Sequence, residues 1–457
     1  MRPVVFKIKE SPPVRTRLEA CFGLALLLAG CGGAPHTTLS GNSISFPATS
    51  IGVVRYASGV KLTNFGGSAL TGIRVAVSGA DAAQFAASDT CVGSLGTGGS
   101  CIISAAFTPT AAGSYSATLT ISDNAANSPQ TISLSGTGTA ERITRALYSF
   151  PEPDASITPL YALVNGAQKT IDMTMYYLVD PIFSADLVAA CNRRVTVRVI
   201  LDTREEGSNN AAAFTQLNSV ANCSAVWANK AFAATHNKSF IVDGSQVAIM
   251  SINLHTLWYS HWRDFVLLEN DPLDIAAIQP TFNADYAAGT TAAGVSGASD
   301  YKYVPGAGDN DLIWSPTTAD TDMVGLITNA KSTLLVENEY MSAPDIVSAL
   351  EAACQRGVQV HIAMTDFSSF STEFAALKAA GCGVYLYPDS GGFYVHTKAV
   401  VADYGLSTQN AYMGSINYYT QSLSHNRELG IYLSDPEAVK LLNDTMAADY
   451  AGKGVIY

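Results

Sequence analysis

Charge is scarce in this chain, and positive charge scarcer. Only 14% of its residues are Asp, Glu, Lys or Arg, with 26 basic against 38 acidic side chains. The formal charge of −12 repels nucleic acid and anionic membrane in general, though it leaves room for a local basic pocket. Beyond the N-terminal segment no apolar run is long enough to span a bilayer, so the remainder is expected to be soluble and tethered. No Cys/His spacing resembles a zinc site, and no metal or cofactor is expected. What is plentiful is apolar: 48% of 457 residues, a globular and not a disordered composition, with length for two or three domains. Val and Ile recur in short runs among many Ala, Gly, Ser and Thr, which favours strands and tight turns over long helices.

The N-terminus reads as a targeting segment. Arg2, Lys7, Lys9, Arg15 and Arg17 precede an apolar run from Ala20 to Leu28, too short for a spanning helix. It ends in Leu28-Ala29-Gly30-Cys31-Gly32, which resembles a bacterial lipobox. That resemblance implies a lipoprotein signal peptide over residues 1–30, lipidation at Cys31 and an exported protein anchored to a membrane, facing the periplasm or the cell exterior. Loss of 1–30 would remove five basic and two acidic residues and move the charge from −12 to −15. Cys21 lies in this segment. The other six cysteines, Cys91, Cys101, Cys191, Cys223, Cys354 and Cys382, are an even set, as disulfides in an exported chain require.

Residues 31–42 are small and polar and read as a tether. From 43 to 140 the pattern is all-β: Val75 and Val77, then Tyr115, Ala117, Leu119 and Ile121 alternate with polar residues, and turn residues separate the runs. This predicts an immunoglobulin-like β-sandwich. LTNFGGSAL (62–70), FTPTAAGSYSATLTIS (107–122) and ISLSGTG (132–138) resemble bacterial relatives of the ASPM/SPD-2/Hydin module. Cys91 and Cys101 flank a Gly-rich loop within it and are expected to pair. With no cluster of catalytic residue types, the segment reads as a spacer or adhesion module.

From 141 onwards strands and helices alternate, and the chain repeats itself. Residues 162–202 and 325–366 each read as helix, buried strand, helix and a Val-rich strand ending in Asp. Short β-branched runs of this kind suit a sheet covered by helices. Two α/β lobes are therefore expected, at 141–290 and 309–457, joined by a Gly- and Ala-rich linker at 291–308. Cys191 and Cys354 end the second helix of each half, and Cys223 and Cys382 precede the next strand. Equivalent placement predicts one disulfide per half, Cys191–Cys223 and Cys354–Cys382.

Each half then carries the same ordered constellation. The first has His236-Asn237-Lys238, Asp243 and Met250-Ser251-Ile252-Asn253; the second has His396-Thr397-Lys398, Asp403 and Gly414-Ser415-Ile416-Asn417. Ten positions after each Asn comes a basic–acidic pair, Arg263-Asp264 and Arg427-Glu428. Each His-x-Lys leads a strand, where residues two apart share a face, so imidazole and ammonium point into one space. An imidazole can attack phosphorus or pass a proton, a lysine neutralises phosphate oxygens, and Ser and Asn add neutral hydrogen bonds. One copy is half a site; two copies across a pseudo-twofold axis suit in-line displacement at one phosphorus.

These residues resemble the signature H-x-K-x4-D-x6-G-S-x-N of the phospholipase D superfamily, over about 143–457. The resemblance implies two mixed-sheet lobes forming one catalytic unit, no metal requirement and a phosphohistidine intermediate. It casts His236 and His396 as catalytic, with His236 the nucleophile. Lys238, Lys398, Asn253, Asn417, Ser251 and Ser415 become phosphate ligands. Asp243 and Asp403 become structural residues, and Glu428 and Asp264 orient the imidazoles. Met250, in place of the motif glycine, is expected to tighten the approach to phosphate, and four extra residues after Asp403 to lengthen a hairpin. His255, His261, His361, His425, Tyr418 and Tyr419 are expected to pack or line the mouth. The expected activity is hydrolysis of phospholipid headgroups by a monomer. A nuclease, a cardiolipin synthase-like phosphatidyl transferase and a non-catalytic surface binding protein are the alternatives, the nuclease weakened by the missing basic flank.

Overall fold

The computed structural model describes residues 33–51, 55–91, 93–139, 145–150, 157–291, 311–390 and 392–452. The expected signal segment with Cys31, and residues 292–308 of the expected linker, lie outside them. Among the described residues no helix is long and apolar enough to cross a membrane.

The N-terminal region is a β-sandwich of two four-stranded sheets. One orders Thr37–Leu39, Arg55–Asn64, Ser100–Phe107 and Phe85–Asp89; the other Ser43–Ser50, Gln130–Thr139, Gly113–Ser122 and Arg74–Ser78. Strict alternation of buried and exposed residues along Gln130–Thr139 gives each strand one core face. Leu62, Ile103, Phe107, Leu119, Ile121 and Ile132 fill the space between the sheets. Burial of each such side chain stabilises the fold by about 1.5–3 kcal/mol. The tether expectation is corrected here: Thr37–Leu39 pairs antiparallel with Leu62–Asn64, because its backbone completes an open sheet edge. Cys91 and Cys101 are bonded, with Cα atoms 5.1 Å apart.

Each lobe is a mixed sheet. In lobe 1, Cys223–Trp227, Thr196–Leu201 and Thr170–Met175 run parallel. Lys238–Val242, Gln246–Met250 and Trp262–Glu269 then continue antiparallel, and Arg145–Phe150 pairs with the last of these. Lobe 2 repeats this order with Gly383–Tyr387, Gln359–Thr365, Thr333–Glu337, Ala399–Ala402, Asn410–Gly414 and Glu428–Leu433, edged by Leu312–Ser315. The longer hairpin expected after Asp403 joins Ala399–Ala402 to Asn410–Gly414. The disulfides Cys191–Cys223 and Cys354–Cys382 tie the equivalent helix end to the equivalent strand in each lobe, at Cα separations of 5.6 and 5.5 Å.

Alternation along the central strands sends side chains to two cores. Phe240, Val242, Val400 and Ala402 pack under the helices of their own lobes. Ile241, Ile249, Phe265 and Leu267 meet Ala399, Val401, Met413 and Ile431 between the two sheets. Met250 does not approach the phosphate site. It is fully buried under the helices of lobe 1, where Ala248, Met250 and Val266 occupy the positions held by Tyr412, Gly414 and Gly430 in lobe 2. A Cβ on Gly430 would fall 2.2 Å from the Tyr412 ring, so the two lobes fill one shape with different side chains.

The sandwich is pinned to the catalytic unit by Arg55. Its buried guanidinium reaches Asp271 at 3.7 Å, and pairs with Asp311. Asp271 caps the helix Pro272–Ala287, and Asp311 precedes the first strand of lobe 2. Removal of one partner from a buried ion pair leaves the others desolvated and costs about 3–5 kcal/mol. Arg55→Ala is expected to lower unfolding free energy by that amount in urea titrations; a change under about 1 kcal/mol would show that the contact does not anchor the domain.

Candidate active site

Both motif strands lie in the middle of their sheets, so hydrogen bonding on two sides fixes the position of each His-x-Lys. The motif aspartates end these strands with left-handed backbone, φ 54° at Asp243 and 53° at Asp403, a conformation Asp tolerates better than most residues. Asp243 accepts N–H bonds from Gln168, Lys169 and Thr170, and Asp403 from Lys331, Ser332 and Thr333. These carboxylates lock the register of the catalytic strand against its neighbour, far from the reacting atoms. On the other side, Asp202 accepts from the Thr235 N–H at 2.8 Å, steering the loop that delivers His236.

The two half-sites are built from each other. His236 Nδ1 lies 2.8 Å from Glu428 of lobe 2, and His396 Nδ1 lies 2.8 Å from Asp264 of lobe 1. With Nδ1–H donating to a carboxylate, the Nε2 lone pair is the one left for attack or proton transfer. The arginines beside these acids cross over as well. The Arg427 carbonyl accepts from the His236 and Asn237 N–H groups at 2.9 Å, and the Arg263 carbonyl from the Thr397 N–H at 2.8 Å. Their guanidiniums bind the terminal helix of the opposite lobe, Arg263 to Asp449 and Arg427 to Asp285. The basic–acidic pair is therefore a two-part clamp, and only its acid was assigned a role from the sequence.

The serines need correction. Expected on phosphate oxygens, Ser251 donates to Asp264 at 2.6 Å and Ser415 to Glu428 at 2.7 Å. Each hydroxyl has one proton, committed to that carboxylate, and its oxygen also accepts a backbone N–H, from Phe265 at 2.9 Å and from Leu429 at 3.1 Å, so both serines are occupied in holding the orienting acids. Ser422 and Asn426 bind the second oxygen of Glu428.

Burial dominates the electrostatics. It lowers the His236 imidazole below its ordinary value even though Glu428 works the other way. A neutral imidazole is the form that can attack phosphorus. Burial would raise Glu428, but His236 and then Lys238 bring it below the usual range, so it stays a carboxylate. Burial, and then repulsion from Lys398, brings the Lys238 ammonium down to about 7. The two half-sites share one space: Asn253 of lobe 1 reaches His396 of lobe 2. Lys238 also sits 4.8 Å over the Tyr176 ring.

The asparagines line the same space. Asn253 Nδ2 stands 3.5 Å from His396 Nε2, across the lobe boundary, and Asn417 Nδ2 stands 3.3 Å from Glu339. Glu339 also accepts from Lys398 at 3.0 Å and from the Tyr394 hydroxyl at 2.7 Å. Tyr176 and Glu339 were missed from the sequence, although they hold the same position in the repeat, just beyond the strands Thr170–Met175 and Thr333–Glu337. Trp262 stacks on Trp258, lies 4.7 Å from His396 and was also missed. His255 stacks on Trp258, and His361 on Tyr450 away from the site. His261 contacts Ser260, the His425 carbonyl accepts from Ala233, Tyr418 is buried, and Tyr419 packs at a tilt against Tyr340.

Duplicated His-Lys-Asn sets, each histidine held by a carboxylate of the other half, define a two-lobe phospholipase D-like unit, the scaffold of a superfamily whose members generally act on phosphodiesters. The chain belongs to the family described as the cardiolipin synthase, PLD-like domain, whose model matches residues 160–286 and again 323–450. No curated protein sequence matches it. Among solved structures it is similar to phosphatidylserine synthase from Haemophilus influenzae Rd KW20, at TM-score 0.51 and 12% identity over 67% of this chain and 84% of that one. It is also similar to polyphosphate kinase from Porphyromonas gingivalis, at 0.48 and 12% over 67% of this chain; it spans 50% of the kinase's length. The phospholipase D family member Nuc from Salmonella typhimurium matches at 0.30 and 22%, over 33% of this chain and 97% of Nuc. At these identities the likeness is one of fold.

Two outcomes follow from the geometry. Asp264→Asn and Glu428→Gln each remove the charge that fixes one imidazole, and each is expected to lower kcat by about 10²–10⁴-fold with little change in thermal stability. A rate within threefold of wild type for either would exclude the orienting role. Lys238 loses its proton as pH rises through about 7, whereas a bound anion favours the charged form. Binding of dimethyl phosphate at pH 8 should therefore take up protons, seen by calorimetry in buffers of different ionisation enthalpy, and Lys238→Met should abolish the uptake.

Proposed function

We propose that the chain hydrolyses phospholipid headgroup phosphodiesters through a phosphohistidine on His236. The observation that carries this reading is the reciprocal clamp: two buried imidazoles, each held at Nδ1 by a carboxylate from the other lobe, with Lys238, Lys398, Asn253 and Asn417 around them. In the first step His236 Nε2 bonds to phosphorus, the bond from phosphorus to the leaving alcohol breaks, and His396 gives that alcohol its proton. In the second, His396 takes a proton from water, the hydroxide oxygen bonds to phosphorus, and the phosphorus–nitrogen bond breaks. The lysines and asparagines stabilise charge on the phosphoryl oxygens in both steps.

Phospholipid is favoured over nucleic acid by charge and surface. The chain is acidic, and aromatic rings run outward from His396 through Trp262 and Trp258. The neighbouring Leu257 is 73% exposed, an apolar contact suited to a lipid surface. Export, with a lipid anchor on Cys31, would place a monomeric enzyme beside such a surface. A second reading, transfer of the phosphatidyl group to an alcohol, has support in the family's description, since an alcohol can replace water in the second step.

Protein incubated with phosphatidylcholine and ethanol, and separately with single-stranded DNA, both in EDTA, separates these readings. Phosphatidic acid as the main lipid product supports the hydrolase, and phosphatidylethanol in excess supports the transferase. Cleavage of DNA alone would replace both with a nuclease. His236→Ala and His396→Ala should each lower the rate by about 10³-fold or more, and the wild-type pH profile should be bell-shaped because the two histidines act in opposite protonation states.

A further inference from the structure

Every group that lobe 2 offers to a phosphate already holds an anion. Glu339 Oε2 lies 3.0 Å from Lys398 Nζ, 3.3 Å from Asn417 Nδ2 and 3.7 Å from His396 Nε2. These are the second-lobe counterparts of the lysine, the amide and the imidazole that would face a phosphoryl oxygen. The Tyr394 hydroxyl holds the other carboxylate oxygen at 2.7 Å. Among the described residues lobe 1 has no such occupant: the equivalent residue is Tyr176, whose ring covers Lys238 and lies 4.4 Å from His236. The pseudo-twofold site thus has one lysine paired with a carboxylate of its own chain and one covered by a neutral ring. Glu339 is mostly covered but keeps 15% of its side chain exposed, and it sits on the loop that follows the strand Thr333–Glu337.

We propose that Glu339 is an internal competitor for phosphate: its carboxylate fills the lobe-2 oxygen seat in the resting enzyme, yields it to the substrate phosphodiester, and returns to expel the phosphomonoester product. The inference rests on the phosphodiester reading of the site. Burial would raise this carboxyl, but Lys398 and then His396 hold it well below the usual carboxylate range. A substrate therefore meets a charged competitor at any working pH and must displace it. Selection follows from this. A ligand gains the second seat only if it binds both lobes at once, as a diester centred between the histidines does.

The test is inorganic phosphate, titrated calorimetrically into wild-type protein, Glu339→Gln and Tyr394→Phe at constant ionic strength. Glu339→Gln keeps the shape and removes the charge; phosphate should bind at least tenfold tighter and inhibit turnover correspondingly more. Tyr394→Phe changes no charge and releases the carboxylate from the hydrogen bond on its other oxygen; it should tighten phosphate binding about two- to fourfold. Equal affinity in all three proteins would overturn the proposal while leaving the phosphate site intact. Tighter binding in Glu339→Gln with none in Tyr394→Phe would also overturn it, since Glu339 would then act only through its long-range field. Phosphate binding by none of the three would overturn the phosphodiester reading and this proposal with it. Thermal unfolding of each variant within about 2 °C of wild type shows that the fold is retained.

Discussion

The exchange of a carboxylate for a histidine across the lobe boundary is the constraint on which the rest of this structure depends. Glu428 leaves lobe 2 to hold His236, and Asp264 leaves lobe 1 to hold His396. Neither imidazole has a defined tautomer without the opposite lobe. The backbone enforces the same dependence, because the Arg427 and Arg263 carbonyls accept the N–H groups at or next to the partner histidines. The arginine side chains then grip the terminal helices of the other lobe through Asp285 and Asp449. A site so made cannot be half-formed: separation of the lobes would strip orientation from both histidines at once.

Such a centre is costly to bury. Two lysines, two histidines and several carboxylates lose most of their water, and each unpaired charge in that environment would cost several kcal/mol. The structure meets the cost locally, with serines 251 and 415 assigned to the orienting acids and Tyr176 laid over Lys238. What remains uncompensated is useful. The Lys238 ammonium sits near neutrality in its titration, so a bound anion restores its charge. The apolar layer between the sheets, with Ile241, Phe265, Val401 and Ile431, supplies the stability that this polar centre does not.

Duplication has let the two lobes diverge wherever geometry allows. Tyr412, Gly414 and Gly430 in one lobe answer Ala248, Met250 and Val266 in the other, a volume exchanged between neighbours in a close-packed core. Tyr176 and Glu339 stand at matching strand ends and differ in charge, so a site that is symmetrical in its histidines is unsymmetrical in its surroundings. The sandwich is held at the back of this unit by Arg55 and two aspartates, away from the histidines.

Much of this was readable in the residues alone, for a physical reason: local patterns are written in local spacing. The alternation of apolar residues marks the sandwich strands, and the internal repeat marks both lobes. Equivalent cysteines in the two halves name their disulfides, and the His-x-Lys spacing marks the strands that carry the chemistry. Other features required the lobes to be packed together. Serines 251 and 415 and Met250 are ordinary members of a motif until the fold shows which way they face. Glu339 carries no signal of its own, because a carboxylate after a strand is common, and it becomes notable only when Lys398, Asn417 and His396 close around it. The candidate reacting groups were thus named by the sequence, whereas their partners, their charge states and the asymmetry of the site were decided by tertiary structure, since each depends on residues that meet only across the lobe boundary or from distant parts of one lobe.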